Sequence, residues 1–323
     1  MPAVLRINFT ESDLARIRLA DEPDPLWETL LSLHLLQEHR PAPRYAPWRD
    51  RVATRLDRDM RPLLALAPPR GYSPDFLTPA AAGEGLEAGL DALRNTPAET
   101  FHADLGVLAE YQAYAGRFQA LADGDRHAVH GLVDRVGRYY DLALRPYWME
   151  IRGAVGATRV SHAKELAGGG LGRLFGGLHP SVRWNENVLE LHGFIIDREI
   201  HLNGRGLRLV PSFFCRQAPI MLRDQGLPPV LVYPIETDRA RAPVRRPCDG
   251  PVGALIGRTR AAILAATADG CTTTELARRL NISPATASHH ASVLRDAGLI
   301  TTIRVGTSVL HTLHPKGDLL LNQ

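Results

Sequence analysis

The segment from Thr272 to Gly298, TTTELARRLNISPATASHHASVLRDAG, constrains this chain more than any other. It reads as two short helices joined by a tight turn, each with its own start and stop signals. Thr272, followed three residues later by Glu275, has the form of a capping box, with the hydroxyl accepting the Glu275 amide and the carboxylate accepting the Thr272 amide. Leu276 and Leu280 are core positions of the first helix, Asn281 suits the left-handed conformation of a tight turn, and Ile282 fills the corner. Ser283 caps the second helix, and Pro284 takes its first position, where a missing amide costs nothing. Ala287, Ala291 and Leu294 share one face at the i, i+4, i+7 spacing, and Gly298 ends the helix.

The flanks agree with this reading. A preceding helix over about 257–268 puts Ile263, Leu264 and Thr267 on one packing face. After Gly298, LITTIRVGTSVLHTL gives two strand-like runs around Val305-Gly306, the form of a wing. This is the layout of a winged helix-turn-helix, whose second helix enters the DNA major groove. The implied partner is double-stranded DNA. The face opposite the core carries Thr286, Ser288, His289 and Ser292, whose hydroxyls and imidazole can bond to bases or phosphates. Thr273, Thr274 and Ser283 join them as candidate contacts at the two helix starts. His290, beside the core face, either packs or touches a phosphate, and Arg304 at the wing tip reaches the minor groove or a phosphate.

Ahead of this segment the sequence is less explicit. Thr10 can cap a helix that starts at Glu11 and continues through Leu14, Ile17 and Arg18. Pro25 begins PLWETLLSLHLLQ, which ends in the proline-rich HRPAPRYAPW. Further helices are predicted over about 48–66, 85–93, 105–121 and 126–151. Past Pro180 the pattern changes to strand-like runs at 182–193, 194–204, 206–215 and 228–236, with turns at Gly193 and Asn203-Gly204, the latter followed by Arg205-Gly206 as a hairpin signal. Helices followed by a meander predict an α+β domain with antiparallel strands. The expected organisation is an N-terminal α+β domain over 1–236, an arginine- and proline-rich linker over 237–252, and the winged helix over 253–323. Arg239, Arg241, Arg245 and Arg246 of the linker either meet phosphates or belong to a solvated hinge.

Composition excludes several classes. A chain of 323 residues with 45% hydrophobic and 23% charged residues has the make-up of a soluble globular protein. No apolar run reaches the ~20 residues of a membrane span, and the first residues lack the basic and apolar regions of a signal peptide, so the expected location is cytoplasmic. Cys215, Cys248 and Cys271 form no closely spaced pair, which argues against a disulfide framework and a zinc finger. The net charge of +3 is too small to indicate nucleic-acid binding by itself.

NISPATASHHASVLRDAGLITTIRVGTSVLHTL resembles the ArsR/SmtB family of winged-helix transcription regulators, through Ser283, Ser288, His290, Leu294, Ala297-Gly298-Leu299 and Arg304-Val305-Gly306. The resemblance covers about the last fifth of the chain, and the whole chain is similar to high-GC bacterial members with a long N-terminal extension. It implies a homodimer that binds an inverted-repeat operator, commonly as a repressor. The metal-sensing members carry a cysteine pair on the helix that here reads ELARRL, where Glu275, Ala277 and Arg278 offer no thiol. The expectation is therefore a regulator with no cofactor or metal, answering to a small-molecule effector or to protein context. Members also dimerise through a last helix, of which only PKGDLLLNQ remains, so the N-terminal domain is expected to contribute to pairing. Thr307 and His311 stand where the family's wing often has a second basic residue and a tyrosine.

Other constellations are weaker. His127, His130 and Asp134 share a helix face that could hold a metal, but the adjacent Arg126 and Arg135 oppose a cation. GGGLGRLFGG over 168–177 lacks the strand and Gly-Lys-Ser/Thr of a phosphate loop and reads as a joint between helices, with Leu171, Leu174, Phe175 and Leu178 on an apolar face. His162, Glu165, His192 and His201 pair with no nucleophile at a recognisable spacing, so no catalytic residue is expected. Tyr139, Tyr140, Tyr147, Trp148 and Trp184 either line a pocket or pack a core. The alternative reading is an enzyme or metal-dependent regulator whose site lies unrecognised in the N-terminal domain.

Overall fold

The computed structural model describes residues 3–38, 45–69, 71–111, 118–194, 197–216, 218–235, 251–267, 271–280, 282–305 and 308–321. The chain divides into two compact units, residues 1–235 and 236–323. The class is α+β with sheets rich in antiparallel pairs.

The first unit opens with strand β1 (Ala3–Asn8), helix α1 (Glu11–Leu14) and strand β2 (Arg18–Leu19). A run of helices follows: α2 (Pro25–Gln37), α3 (Ala46–Arg55), α4 (Arg61–Leu66), α5 (Leu86–Arg94), α6 (Ala98–Tyr111), α7 (Gln119–Ala122) and α8 (Arg126–Ala143). The long α9 (Trp148–Leu178) leads to the strands β3 (Val182–Asn185), β4 (Val188–Phe194), β5 (Arg198–His201), β6 (Arg208–Ser212), β7 (Ile220–Met221) and β8 (Val230–Pro234).

Two cores hold this unit together. The helical core surrounds α2, whose residues are buried on almost every side, as expected of a central helix rather than a surface one. Leu26, Trp27, Leu30 and Leu33 meet Val129, Leu132, Val136 and Tyr139 of α8 in one apolar cluster. Ser32 and Tyr139 share a hydrogen bond of 3.0 Å within it, which satisfies two buried hydroxyls. The second core lies among the strands and the end of α9, with Leu5, Ile7, Leu174, Phe175, Leu178, Leu189, Leu191, Leu209 and Leu231.

The predicted strands divide between two sheets. One has the order β3-β4-β1-β5, the other β2-β6-β8-β7. β1 is central in the first, antiparallel to β4 and parallel to β5. The chain turns tightly between β3 and β4, where Glu186 and Asn187 adopt φ of 45° and 68°, as a two-residue hairpin requires. Asn203 and Gly204 also have positive φ, but the strands they join belong to different sheets, so the hairpin expected there is a crossover turn. Gly193 lies within β4 rather than at a turn. The helix expected to run from Glu11 through Arg18 stops at Leu14, because Arg18 and Leu19 pair with Arg208 and Leu209. The long helix expected over 48–66 is divided into α3, a 3-10 turn at Arg58–Met60 and α4.

The glycine-rich segment within α9 is a joint, as its composition suggests. Gly170 has φ 64° and ψ −161°, a conformation outside the helix that suits a residue without Cβ. Leu174, Phe175 and Leu178 beyond it are buried in the second core, with Leu171 packed against them.

The second unit contains α10 (Pro251–Ile256), α11 (Arg258–Ala266), β9 (Cys271–Thr272), α12 (Thr273–Leu280), α13 (Pro284–Asp296), β10 (Ile300–Val305), β11 (Ser308–Leu313) and α14 (Pro315–Leu321). Its sheet has the order β10-β11-β9. Ile263, Leu264, Leu276, Ala287, Ala291, Leu294 and Ile300 form its core, with Leu280 and Ile282 packed against it. The expected linker residues 237–250 lie outside the described residues, as do Cys248, Asn281, Gly306 and Thr307; Pro251 and Val252 open α10.

Candidate nucleic-acid interface

Local capping sets the two helices of the turn. The Thr272 hydroxyl accepts the Glu275 amide at 3.3 Å, which fixes the start of α12. The Glu275 carboxylate is engaged with Arg279 one turn later, not with the Thr272 amide that a full capping box would give it. At the start of α13 the Ser283 Oγ accepts the Thr286 amide at 3.1 Å and lies 2.8 Å from the Thr286 hydroxyl. Gly298 follows α13 with φ 68°, the left-handed stop expected of it.

With Ala287, Ala291 and Leu294 buried, the opposite side of α13 is left to solvent. Ser288 and His289 are exposed and Ser292 is half-buried. Ala285, one turn before Ser288, completes this stripe; its small apolar side chain gives no polar signal in the sequence, although its helical spacing marks it. The stripe offers two hydroxyls, an imidazole and a methyl, groups that meet base edges in a major groove. None of Ser288, His289 and Ser292 takes part in a side-chain hydrogen bond among the described residues.

His290 differs from its neighbour. It is half-buried, and burial, then the nearby Arg260 and His289, hold its pKa below the ordinary histidine value. Its ring centroid lies 5.5 Å from that of His289. A neutral imidazole at this position suits packing better than pairing with a phosphate.

The candidates at α12 are placed differently from each other. Thr274 is exposed, whereas the Thr273 hydroxyl lies 2.9 Å from His311 Nε2. His311 Nδ1 lies 3.0 Å from the Thr302 hydroxyl, so one buried imidazole ties α12 to the wing. Burial, then the Arg295 charge, lower its pKa. Sequence spacing marks His311 only as a replaced wing residue and gives no sign of this bridge. Arg304 is opposite Val309 in the wing ladder, and its side chain lies outside the described residues.

The weaker constellations resolve into packing and surface pairs. His127 and His130 lie on α8 with Asp134, and among the described residues no group of three His, Cys, Asp or Glu side chains could hold a metal ion. His162 is buried, with Nδ1 3.0 Å from the Tyr233 hydroxyl, while His192 and His201 lie 3.4 and 3.7 Å from Glu190 and Glu199. The aromatic set is split: Tyr140 meets Trp148 edge-on at 5.3 Å, and Trp184 packs against Phe9 and Phe175 in the other core. Cys215 and Cys271 are buried. Among the described residues no helix is long and apolar enough to cross a membrane.

Residues 256–303 match the family model described as a helix-turn-helix domain. That match covers most of the second unit and leaves the first unassigned. No curated protein and no solved structure matches the chain. The second unit is thus a helix-turn-helix domain, the module of DNA-binding transcription regulators.

Proposed function

We propose that the protein is an ArsR-type winged-helix transcription regulator that pairs as a homodimer on an inverted-repeat operator. The observation that carries this reading is the outward Ala285, Ser288, His289 and Ser292 stripe on α13, backed by a fully buried apolar face. Two such helices related by a two-fold axis would read half-sites about 34–36 Å apart, or a multiple of that. Thr274, Ser283, Thr286 and Arg304 would supply backbone contacts that set register without reading sequence. Thr273 would act through its bond to His311, which positions the wing.

The N-terminal residues 1–236 would carry the response to a small molecule, and residues 237–252 would join them to the DNA-binding domain. An effector that binds one dimer arrangement more tightly shifts DNA affinity by that difference. Repression would follow from operator occupancy. No thiolate pair is available at Glu275, Ala277 and Arg278, so the response would not run through a metal on α12.

Genome-wide capture of DNA bound to the full chain tests the reading. The expected result is a small set of promoter sites sharing an inverted repeat, bound more tightly than random duplex by about a thousandfold or more in anisotropy titrations. Recovery of no common sequence, with equal affinity for random DNA, would overturn it.

A further inference from the structure

Ahead of the break at Gly170, helix α9 is buried along one narrow line. Ile151, Val155 and His162 face the protein, and at ~100° per residue they fall within an arc of about 40°. The opposite crest carries Met149, Gly153, Ala157, Val160, Lys164 and Ala167, three or four residues apart and all exposed. Met149 is 78% exposed and Val160 53%, unusual values for large apolar side chains on a helix with a buried face. The crest runs for about 27 Å at ~1.5 Å per residue.

Its charges are arranged with a symmetry. On one flank Arg152 and Arg159 are already paired within the chain, with Glu22 at 2.8 Å and Asp21 at 2.9 Å. Glu150 and Lys164 are exposed, and among the described residues neither has an ion-pair partner. They lie seven residues before and seven after Ala157. Two copies of α9 laid antiparallel about an axis at Ala157 therefore set each Glu150 against the other copy's Lys164. A parallel pairing would set like charges together. Gly153 and Ala157 at the crossing let the backbones approach, and Met149 and Val160 extend apolar contact to either side.

We propose that this crest is a homodimer interface, in which two α9 helices pack antiparallel about a two-fold axis at Ala157. A surface that is its own complement under that rotation is what a two-fold contact requires. The proposal rests on the reading that the protein acts as a pair, and it places part of that pairing in the first unit.

The test uses the full chain without DNA, in sedimentation equilibrium. Wild type should dimerise reversibly, and Ala157→Arg, which puts two guanidinium groups face to face, should raise the dissociation constant at least tenfold. Glu150→Lys and Lys164→Glu should each weaken the dimer, and the double variant should restore it. Ala157→Cys should give a disulfide-linked pair on mild oxidation. A wild type that stays a single chain, an Ala157→Arg dimer as tight as wild type, or a double variant no tighter than either single one would each overturn the proposal. Binding of Ala157→Arg to a half-site duplex separates the two readings: loss of pairing with retained half-site binding leaves the DNA reading intact. A wild-type α9 dimer that binds no operator leaves the interface and removes the DNA reading.

Discussion

His311 holds the Thr273 hydroxyl at 2.9 Å from its Nε2, so the first residue of α12 is fastened to the second strand of the wing. The other ring nitrogen meets Thr302 on the first strand at 3.0 Å. Helix and wing are thereby held by one side chain that touches neither the turn nor the recognition stripe. His311→Ala should destabilise the second unit by about 1–3 kcal/mol, the usual cost of leaving partly buried polar groups unpaired. The lowered pKa means that the unfolded chain takes up a proton more readily than the folded one, so stability should decline as pH falls below about 6.5. Hydrogen exchange of peptides from 271–313 between about pH 7.5 and 5.5, a range that spans the ordinary histidine titration, checks both expectations. Protection that is independent of pH in wild type would refute the second.

Ser288 and His289 face outward from a helix whose opposite side is filled, and their removal should leave the fold intact. Changing both to alanine should lower discrimination between operator and random duplex by about 1–3 kcal/mol for each base edge no longer read, with little change on random DNA. Anisotropy titrations on both duplexes measure this. Equal weakening on the two would move these residues from reading to positioning.

Arg304 belongs to the first wing strand, opposite Val309. If it neutralises one phosphate, Arg304→Ala should flatten the plot of log affinity against log salt by about one unit. An unchanged slope would remove it from the phosphate contacts.

Glu28 on α2 accepts the Phe213 amide at 2.8 Å, the Phe214 amide at 3.1 Å and the Ser212 hydroxyl at 3.0 Å. One carboxylate thus satisfies the turn after β6, and Glu28→Ala should cost about 2–5 kcal/mol by leaving buried donors without an acceptor. Burial pushes the Glu28 pKa up to about 7 despite these bonds. The folded state then holds the proton more tightly than the unfolded chain. The associated stabilisation is complete below about 4.5 and fades as pH rises through about 7. Glu28→Gln removes this titration, so its stability relative to wild type should improve across that window, by an amount on the order of 3 kcal/mol. Denaturant midpoints of the two proteins measured across the same window give the comparison, and a constant difference would refute it.

What can be read from the sequence is what short-range chemistry decides. The caps at Thr272 and Ser283, the proline at 284 and the stop at Gly298 act over a few residues, and the core spacing of Ala287, Ala291 and Leu294 spans two turns. The two helices of the turn and the two wing strands are therefore legible, whereas α10, which opens inside the expected linker, and β9, which pairs with the wing, are not. The first unit is not legible in this way, because its decisive partners are remote. β1 is a short run whose neighbours come from 188–201, and nothing around Ala3 announces them. Asn203-Gly204 and Glu186-Asn187 both adopt turn conformations, yet only the sheet pairing decides which one closes a hairpin. Glu28 has the sequence setting of a polar helix edge, and only the turn at 212–214 encloses it. In the candidate site, the outward stripe follows from helical period alone, while the His311 bridge needs the wing folded back onto α12.

The central position of β1 has a consequence for how this protein is made. Its flanking strands β4 and β5 leave the ribosome roughly 180 residues after it, about 10–40 s at ordinary elongation rates of ~5–20 residues per second. Through that interval an apolar strand with both edges unpaired must be shielded, by the growing helical core or by a chaperone. The helix-turn-helix unit, translated afterwards and built from local contacts, meets no such delay. Slowed synthesis or loss of chaperone should thus deplete the first unit's fold before it touches the second.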